Sequence, residues 1–260
     1  MANITEIRGN IFESSCQTLV NTVNCVGVMG KGIAFEYRHR FPEMYQAYAR
    51  MCERHQLRPG LLHLWTKSKQ WILNFPTKDD WKYPSKLEYI ENGLIKFSDT
   101  YTAKGISSIA FPELGTSSGG LNWKDVRILM YKHLEPLTNL EVEIYHFDPN
   151  AQDTYFDNLF QKVHRFDIDD YKKYLNIQKK QGLILRNALQ SGEINSMNNL
   201  QNIQGVGDKT FEKLYQFVNS LEYRRIVTSA ERQTYAERQS ILEYPLLQCQ
   251  PCHFRRRVHA

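Results

Sequence analysis

Two glycine-rich stretches carry the residue types that could bind a phosphate. The first, residues 20–34, holds three glycines within six positions just before a helical pattern, and the second, residues 112–123, combines three glycines with hydroxyl side chains. Glycine lets backbone N–H groups approach an anion closely, and the start of a helix adds a favourable dipole. Either stretch alone could equally be a tight turn with positive φ angles. Because two of them occur in one domain, a diphosphate site is favoured.

Neither stretch follows the common nucleotide-binding patterns. A P-loop needs Gly-x-x-x-x-Gly-Lys-Ser/Thr, and a dinucleotide fold needs Gly-x-Gly-x-x-Gly with an acidic residue about twenty positions later. The sequence therefore predicts a different mode of nucleotide binding.

The elements around these stretches alternate between strand and helix. Short β-branched runs predict strands at 4–11, 18–24, 61–65, 70–76, 106–114 and 141–148. Apolar residues at spacings of three and four predict helices over 33–55, 85–104 and 123–137. This alternation indicates an α/β domain with a mixed central sheet covered on both faces. Ligands in such folds bind at the loops that leave the carboxyl ends of the strands.

After residue 148 the strand signals stop, and the patterns over 171–192 and 209–227 are helical. We expect a domain at 1–150 and an all-α region at 151–260, with the boundary near residues 149–165. Within the second region, residues 199–217 resemble a helix-hairpin-helix element, which exposes backbone N–H groups to a DNA phosphate without reading bases. An ordinary connection in a small helical bundle is the alternative. The DNA-binding candidates are Gly205, Gly207, Lys209 and Lys213.

Several separated motifs resemble the macrodomain family. Residues 8–11, the segment 20–24 with its glycine loop, and residues 115–120 have the order and spacing of that family's ADP-ribose-binding segments. Asn74-Phe75-Pro76-Thr77-Lys78, followed by Trp81, Ser85 and Gly93-Leu94, resembles the DarG branch, whose members are antitoxins that reverse ADP-ribosylation of DNA by DarT toxins. The resemblance covers most of residues 2–148 and implies a three-layer α/β/α fold.

The resemblance also implies roles for individual residues. Asn10 and Ile11 would lie at the adenine, Asn24 would orient the distal ribose, and Lys78 would be catalytic. Both glycine loops would wrap the diphosphate. The loop residues in this set are Gly27, Val28, Met29, Gly30, Lys31, Gly32, Ile33, Gly115, Thr116, Ser117, Ser118, Gly119 and Gly120. The second loop reads Gly-Thr-Ser-Ser-Gly-Gly where the family more usually has Gly-Cys-Gly-x-Gly-Gly, so hydroxyls would replace some backbone contacts.

A lysine beside an anomeric carbon has two ways to assist bond cleavage. A neutral amine could attack the carbon and form a transient Schiff base with the opened sugar. An ammonium could instead assist departure of the leaving group as an acid or electrostatically. Without its motif, Lys78 would be read as a solvated loop charge. Neither a cofactor nor a metal is expected, since the histidines form no spaced cluster with carboxylates.

Composition is that of an ordinary globular protein. The 260 residues are 42% hydrophobic and 23% charged, and four of the five net positive charges fall after residue 150, which weakly favours nucleic acid. The start MANITEIRGN lacks the features of a secretory signal and no apolar run could span a membrane, so we expect a cytoplasmic protein. Five cysteines fit reduced thiols. The pattern Cys249-Gln250-Pro251-Cys252-His253 matches haem attachment or half a zinc site, and we read it as coincidence.

The sequence thus predicts a hydrolase that removes ADP-ribose from DNA bases, with a DarT-like toxin as a candidate partner and no membrane association. Two alternatives stay open. One is a non-catalytic reader of ADP-ribosylated sites, and the other is a hydrolase of ADP-ribosylated protein or of O-acetyl-ADP-ribose.

Overall fold

The computed structural model describes residues 1–220, and the Cys249–His253 pattern and the arginines at 255–257 lie outside the described residues. Six strands form one sheet in the order β1-β6-β5-β2-β4-β3, in which every neighbouring pair is parallel except β3 and β4. All six predicted strands are present. Their bounds are β1 Asn3–Gly9, β2 Thr18–Val23, β3 His63–Trp65, β4 Trp71–Pro76, β5 Ser108–Pro112 and β6 Glu141–Phe147.

Helices cover both faces of the sheet, as the pattern predicts. Successive side chains of a strand point to opposite faces. Leu19 and Ile72 accordingly pack with α1 and α2, whereas Val20 and Leu73 pack with α3 and α4. The mixed α/β fold with two covered faces is therefore confirmed. The helices of this part are α1 Gly32–Arg40, α2 Pro42–Glu53, α3 Leu87–Thr100 and α4 Trp123–Leu134.

Two predicted helices are each divided in the structure. The helix expected over 33–55 breaks at Phe41, because Pro42 cannot continue a helix and opens the next one at its first position. The pattern over 171–192 breaks at Asn176, which ends a helix in the left-handed conformation with φ of 51°. In both places a local backbone constraint overrides the apolar periodicity.

The chain after β6 is helical as far as the structure describes it. Its helices pack against α1, with ring centroids of Phe35 and Phe211 5.3 Å apart and those of His39 and Tyr215 5.2 Å apart. Residues 1–219 form one compact unit. The expected division at residue 150 remains a prediction. The helices are α5 Thr154–Val163, α6 Ile168–Leu175, α7 Lys179–Gln190, α8 Met197–Gln201 and α9 Asp208–Val218.

Over residues 1–220, no helix is long and apolar enough to cross a membrane. Three cysteines of this part, Cys16, Cys25 and Cys52, are buried and unpaired. Burial raises the pKa of the Cys16 thiol to about 11 and that of Cys25 to about 12. These thiols are held in the unreactive protonated form.

Candidate active site

A cavity of about 810 Å³ opens at the carboxyl ends of the parallel strands. Its wall includes the last residues of four strands, namely Gly9 of β1, Val23 of β2, Pro112 of β5 and Phe147 of β6, and Thr77 directly after β4. This is the edge at which parallel α/β sheets bind ligands. The site therefore lies where the strand pattern predicts it.

Strand order determines how the wall is arranged. Across the sheet edge, Phe147 ends β6, the second glycine loop follows β5, the first follows β2, and Lys78 follows β4. Neighbouring strands lie about 4.8 Å apart, so three strand spacings separate Phe147 from Lys78 by about 14 Å. An aromatic ring at one end, two amide-rich loops in the middle and a cation at the other end suit an elongated molecule with a central diphosphate.

The first glycine loop is held in shape by Asn24. The Asn24 side-chain oxygen accepts hydrogen bonds from the N–H groups of Val26 at 3.0 Å and Val28 at 3.3 Å, and its amide donates back to the Val28 carbonyl. Tyr48 donates from its hydroxyl to the Asn24 carbonyl at 2.8 Å. Asn24 thus shapes the loop, and its predicted contact with a ribose stays a prediction. The loop leads directly into α1, whose N-terminus at Gly32 lines the cavity.

The second glycine loop closes on itself. The N–H groups of Gly120 and Leu121 donate to the carbonyls of Thr116 at 2.7 Å and Gly115 at 3.0 Å. Gly115 and Gly120 have φ of 68° and 79°, which glycine adopts without strain. The Gly119 carbonyl accepts a hydrogen bond from the Ser85 backbone N–H at 2.9 Å. This bond ties the loop to the segment that carries Lys78.

Lys78 contacts both loops from the end of the wall that follows β4. Its ammonium is 2.7 Å from the Ser118 carbonyl of the second loop and 3.5 Å from the Trp81 carbonyl. On the other side, the Lys78 carbonyl accepts a hydrogen bond from the Cys25 thiol at 3.4 Å. Its half-buried side chain has one ammonium hydrogen that neither carbonyl engages. The lysine is placed to act on a group held by both loops.

A row of ion pairs supports the start of the second glycine loop. The His146 ring contacts the Glu113 carboxylate at 2.7 Å with one nitrogen and the Glu6 carboxylate at 2.8 Å with the other. Burial lowers the pKa of His146, but the hydrogen bonds to Glu113 and Glu6 outweigh that effect, so its pKa is raised. Glu113 itself lines the cavity and precedes the loop. His146 therefore links the start of the loop after β5 to β1 and β6.

Most of the residues that the sequence nominates meet in this cavity, and three loop residues do not line it. Met29 is only 1% exposed and packs in the core, and Gly27 packs against α2. Gly120, the third, completes the turn of the second loop. The nominated residues in the wall are Asn10, Ile11, Asn24, Val28, Gly30, Lys31, Gly32, Ile33, Lys78, Gly115, Thr116, Ser117, Ser118 and Gly119.

Other residues of the wall were not nominated from the sequence. Phe147 could have been found as the last residue of a predicted strand, and Trp81 as a neighbour of Lys78. Nothing local marks Glu36 or Asn198, which reach the cavity through helix packing. The additional residues include Phe12, Glu36, Trp81, Lys82, Glu113, Tyr145, Phe147 and Asn198.

The nominated DNA-binding residues lie away from this cavity. Gly205, with φ of 90°, forms the turn between α8 and α9, and Gly207 precedes α9. Lys209 is exposed, whereas the Lys213 ammonium is 2.7 Å from the Asn176 carbonyl. Both the helix-hairpin-helix assignment of residues 199–217 and its contact with DNA stay predictions. Among residues 1–220, no group of three or more histidine, cysteine or carboxylate side chains could hold a metal.

Comparison with known proteins places this fold and site in a class. A model of the Macro domain family matches residues 20–130. A solved structure of the macrodomain of Thermus aquaticus DarG has 40% sequence identity and a TM-score of 0.54, and the likeness covers 56% of this chain and 99% of that one. The chain belongs to the macrodomain family.

Within the family, the likeness is to the DarG branch. A Thermus aquaticus protein named DNA ADP-ribosyl glycohydrolase is 42% identical over 143 residues, which are 54% of this chain and 40% of that protein. The structure of Thermosipho africanus DarTG in complex with ADP-ribose has a TM-score of 0.54 at 35% identity, covering 59% of this chain and 43% of that one. The chain thus spans about two fifths of the length of the curated relative.

Proposed function

We propose that this protein is an ADP-ribosyl glycohydrolase that removes ADP-ribose from modified DNA bases, with Lys78 at the reaction centre. The observation that carries the proposal is the position of the Lys78 ammonium, 2.7 Å from the Ser118 carbonyl, at one end of a cavity walled by both glycine loops. ADP-ribose held with its diphosphate between the loops extends its distal ribose towards Lys78. The anomeric carbon is then within reach of a single side chain.

The reaction replaces the bond between the anomeric carbon and the base nitrogen. Oxygen from water bonds to the carbon, and the departing nitrogen takes a proton. As an ammonium, Lys78 supplies that proton or stabilises the charge on the leaving base. As a neutral amine, it bonds to the carbon while the bond to the base nitrogen breaks and that nitrogen takes a proton from the attacking amine. The ring C–O bond then opens to give a Schiff base, which water hydrolyses to release the sugar and the free lysine. The two carbonyls beside the Lys78 nitrogen fit both forms, because an ammonium has three N–H donors and a neutral amine has two.

Nucleic acid is the acceptor that the surroundings of Lys78 support best. Trp81 and Tyr83, three and five residues along the chain, are 52% and 66% exposed. Exposed aromatic rings beside lysines are the usual means of stacking the bases of a single strand. Lys82 lies between these two aromatic residues, and Lys86 follows Tyr83 by three positions. The Thermus aquaticus relative carries the name DNA ADP-ribosyl glycohydrolase. A DarT-like toxin that modifies DNA would be the source of the substrate.

The test uses single-stranded DNA carrying ADP-ribose on one thymidine, with release of the unmodified oligonucleotide followed on a gel. We expect Lys78→Ala to lower the rate by about 100-fold or more, since general acid–base groups contribute that much, while ADP-ribose binding persists. Lys96→Ala is the control, because Lys96 is exposed on α3 and outside the cavity wall. Turnover by Lys78→Ala at the wild-type rate would contradict the catalytic role. Trapping with cyanoborohydride separates the routes, since only a Schiff base gives a covalent adduct.

The alternative candidates give different results in the same experiment. A non-catalytic reader binds ADP-ribose, by calorimetry, without releasing oligonucleotide. A hydrolase specific for modified protein or for O-acetyl-ADP-ribose leaves the DNA intact and cleaves one of those substrates instead.

A further inference from the structure

A buried ionic network joins α1 to the start of α5. The Arg40 guanidinium is 3.0 Å from the Glu36 carboxylate and 3.1 Å from the Asp153 carboxylate, and the side chains of these three residues are at most one-tenth exposed. Arg40 also lies between two rings, 4.1 Å from the centroid of Phe12 and 4.7 Å from that of Tyr155. Buried charges need partners on every side. This network therefore fixes the helices that follow β6 against the cavity wall.

The same network positions α8. Asp153 caps α5 by accepting a hydrogen bond from the Phe156 N–H at 3.2 Å, and its second oxygen accepts one from the Met197 N–H at 2.8 Å. Ser196 caps α8 at 3.2 Å through the N–H of Asn199. One carboxylate thus holds both the first turn of α5 and the first turn of α8. Asn198, the next residue after Met197, is placed in the cavity wall as a result.

Asn198 lies at the end of the cavity opposite Lys78. It borders a small side pocket together with Asn10, Glu36 and Phe147, and all four also line the main cavity. Phe147 ends β6, and Asn10 follows β1, which is the edge strand next to β6. With the diphosphate between the glycine loops and the distal ribose at Lys78, this end receives the base.

Of the two asparagines at this end, Asn198 has the available amide. The Asn10 amide nitrogen donates to the Gln152 carbonyl at 3.2 Å, and its oxygen accepts a hydrogen bond from the Phe12 N–H at 3.1 Å. The half-buried Asn198 side chain forms no hydrogen bond with residues 1–220. An asparagine amide can pair in a bidentate manner with N6 and N7 of adenine. Asn10 holds the wall together, and Asn198 is free to contact a base.

We propose that the helices after β6 complete the base-binding end of the cavity, and that the Asn198 amide recognises the purine edge of adenine. The inference rests on the proposed function in one respect, that the cavity takes ADP-ribose. It concerns residues outside the likeness to known macrodomains, because 56% of this chain already covers 99% of the Thermus aquaticus DarG macrodomain. The remaining part of this chain then contributes to nucleotide binding as well as to the scaffold.

The experiment compares two ligands in calorimetry on the full chain. ADP-ribose presents an N6 amino group, and the analogue with hypoxanthine in place of adenine presents an oxygen at that position. We expect wild type to prefer ADP-ribose, and Asn198→Ala to weaken ADP-ribose binding by about 5- to 150-fold, the effect of one bidentate amide–base pair. Binding of the hypoxanthine analogue should change much less, so the preference shrinks.

Asn199→Ala is the matched control, since the Asn199 amide donates to Asn195 at 2.7 Å and does not line the cavity. It should leave both affinities unchanged. If Asn198 had only a structural role, Asn198→Ala would lower the affinity for both ligands equally, and this result would overturn the inference. An Asn198→Ala variant that keeps the wild-type preference for ADP-ribose would overturn it as well. Wild-type protein that binds neither ligand would overturn the proposed function itself, and the inference with it.

Discussion

Replacement of Gly119 by alanine should open the second glycine loop. The added Cβ would lie 2.7 Å from the Gly115 carbonyl carbon, and closer still to the Gly115 carbonyl oxygen and the Ser85 hydroxyl. The backbone at Gly115 cannot turn away as the end of a flexible side chain can, so Gly115 and residue 119 must move apart. That movement also strains the 2.9 Å hydrogen bond from Ser85 to the Gly119 carbonyl.

The cost can be worked from these contacts. Overpacking of a closed site costs about 1–3 kcal/mol, and loss of one backbone hydrogen bond costs about 1 kcal/mol more. We therefore expect Gly119→Ala to lower the free energy of unfolding by about 2–4 kcal/mol. The adjacent Ser118 carbonyl, which accepts a hydrogen bond from Lys78, moves with the loop. ADP-ribose affinity and turnover should fall together.

Gly120→Ala is the control for this prediction. A Cβ at Gly120 meets no atom within 4 Å, and only its φ of 79° opposes the change. That strain costs roughly 1–2 kcal/mol. Urea denaturation gives the two unfolding free energies, and calorimetry gives the two ADP-ribose affinities. Equal destabilisation by the two variants, or wild-type affinity in Gly119→Ala, would show that the loop does not close on Gly119 as described.

Two further predictions concern the loop anchor and the acceptor. Because the pKa of His146 is raised in the folded state, its stabilising contribution is complete below the unfolded pKa of about 6.5 and is lost as the pH rises through the folded value. His146→Gln should therefore lower the melting temperature more at pH 6 than at pH 9. A loss of melting temperature that does not depend on pH would contradict the ionic role. Tyr83→Ala should lower kcat/KM for an ADP-ribosylated oligonucleotide by about 5-fold or more, the effect of one lost base stack, and should spare an ADP-ribosylated mononucleoside; equal losses on both substrates would argue against stacking.

The sheet and its loops could be predicted because their signals are local. Short β-branched runs mark each strand, and glycine clusters after β2 and β5 mark loops that parallel strands must bring to one edge. The breaks at Phe41 and Asn176 escaped prediction because apolar periodicity continues across them. Proline at 42 was a visible signal for the first break.

The place of Asn198 in the cavity wall could not be predicted from the sequence, for a different reason. Asn198 owes its position to Asp153 and Arg40, which are far apart in the sequence and meet only when α5 and α8 pack on α1. No spacing rule encodes such a meeting. Lys78 could be predicted, in contrast to Asn198, because it follows β4 by two residues and the end of that strand borders the cavity.

The pairing of β1 has a consequence for how the chain acquires its shape. Within the described sheet, β1 is an edge strand whose neighbour is β6, with Asn3 opposite Glu141 and Gly9 opposite Phe147. Of the six strands of this sheet, β1 is synthesised first and β6 last, so β1 cannot pair until β6 has been made. Contacts of such long sequence separation slow folding. A growing chain can form both glycine loops and still lack the wall around Asn10 and Phe147, so nucleotide binding should appear late in synthesis and all at once.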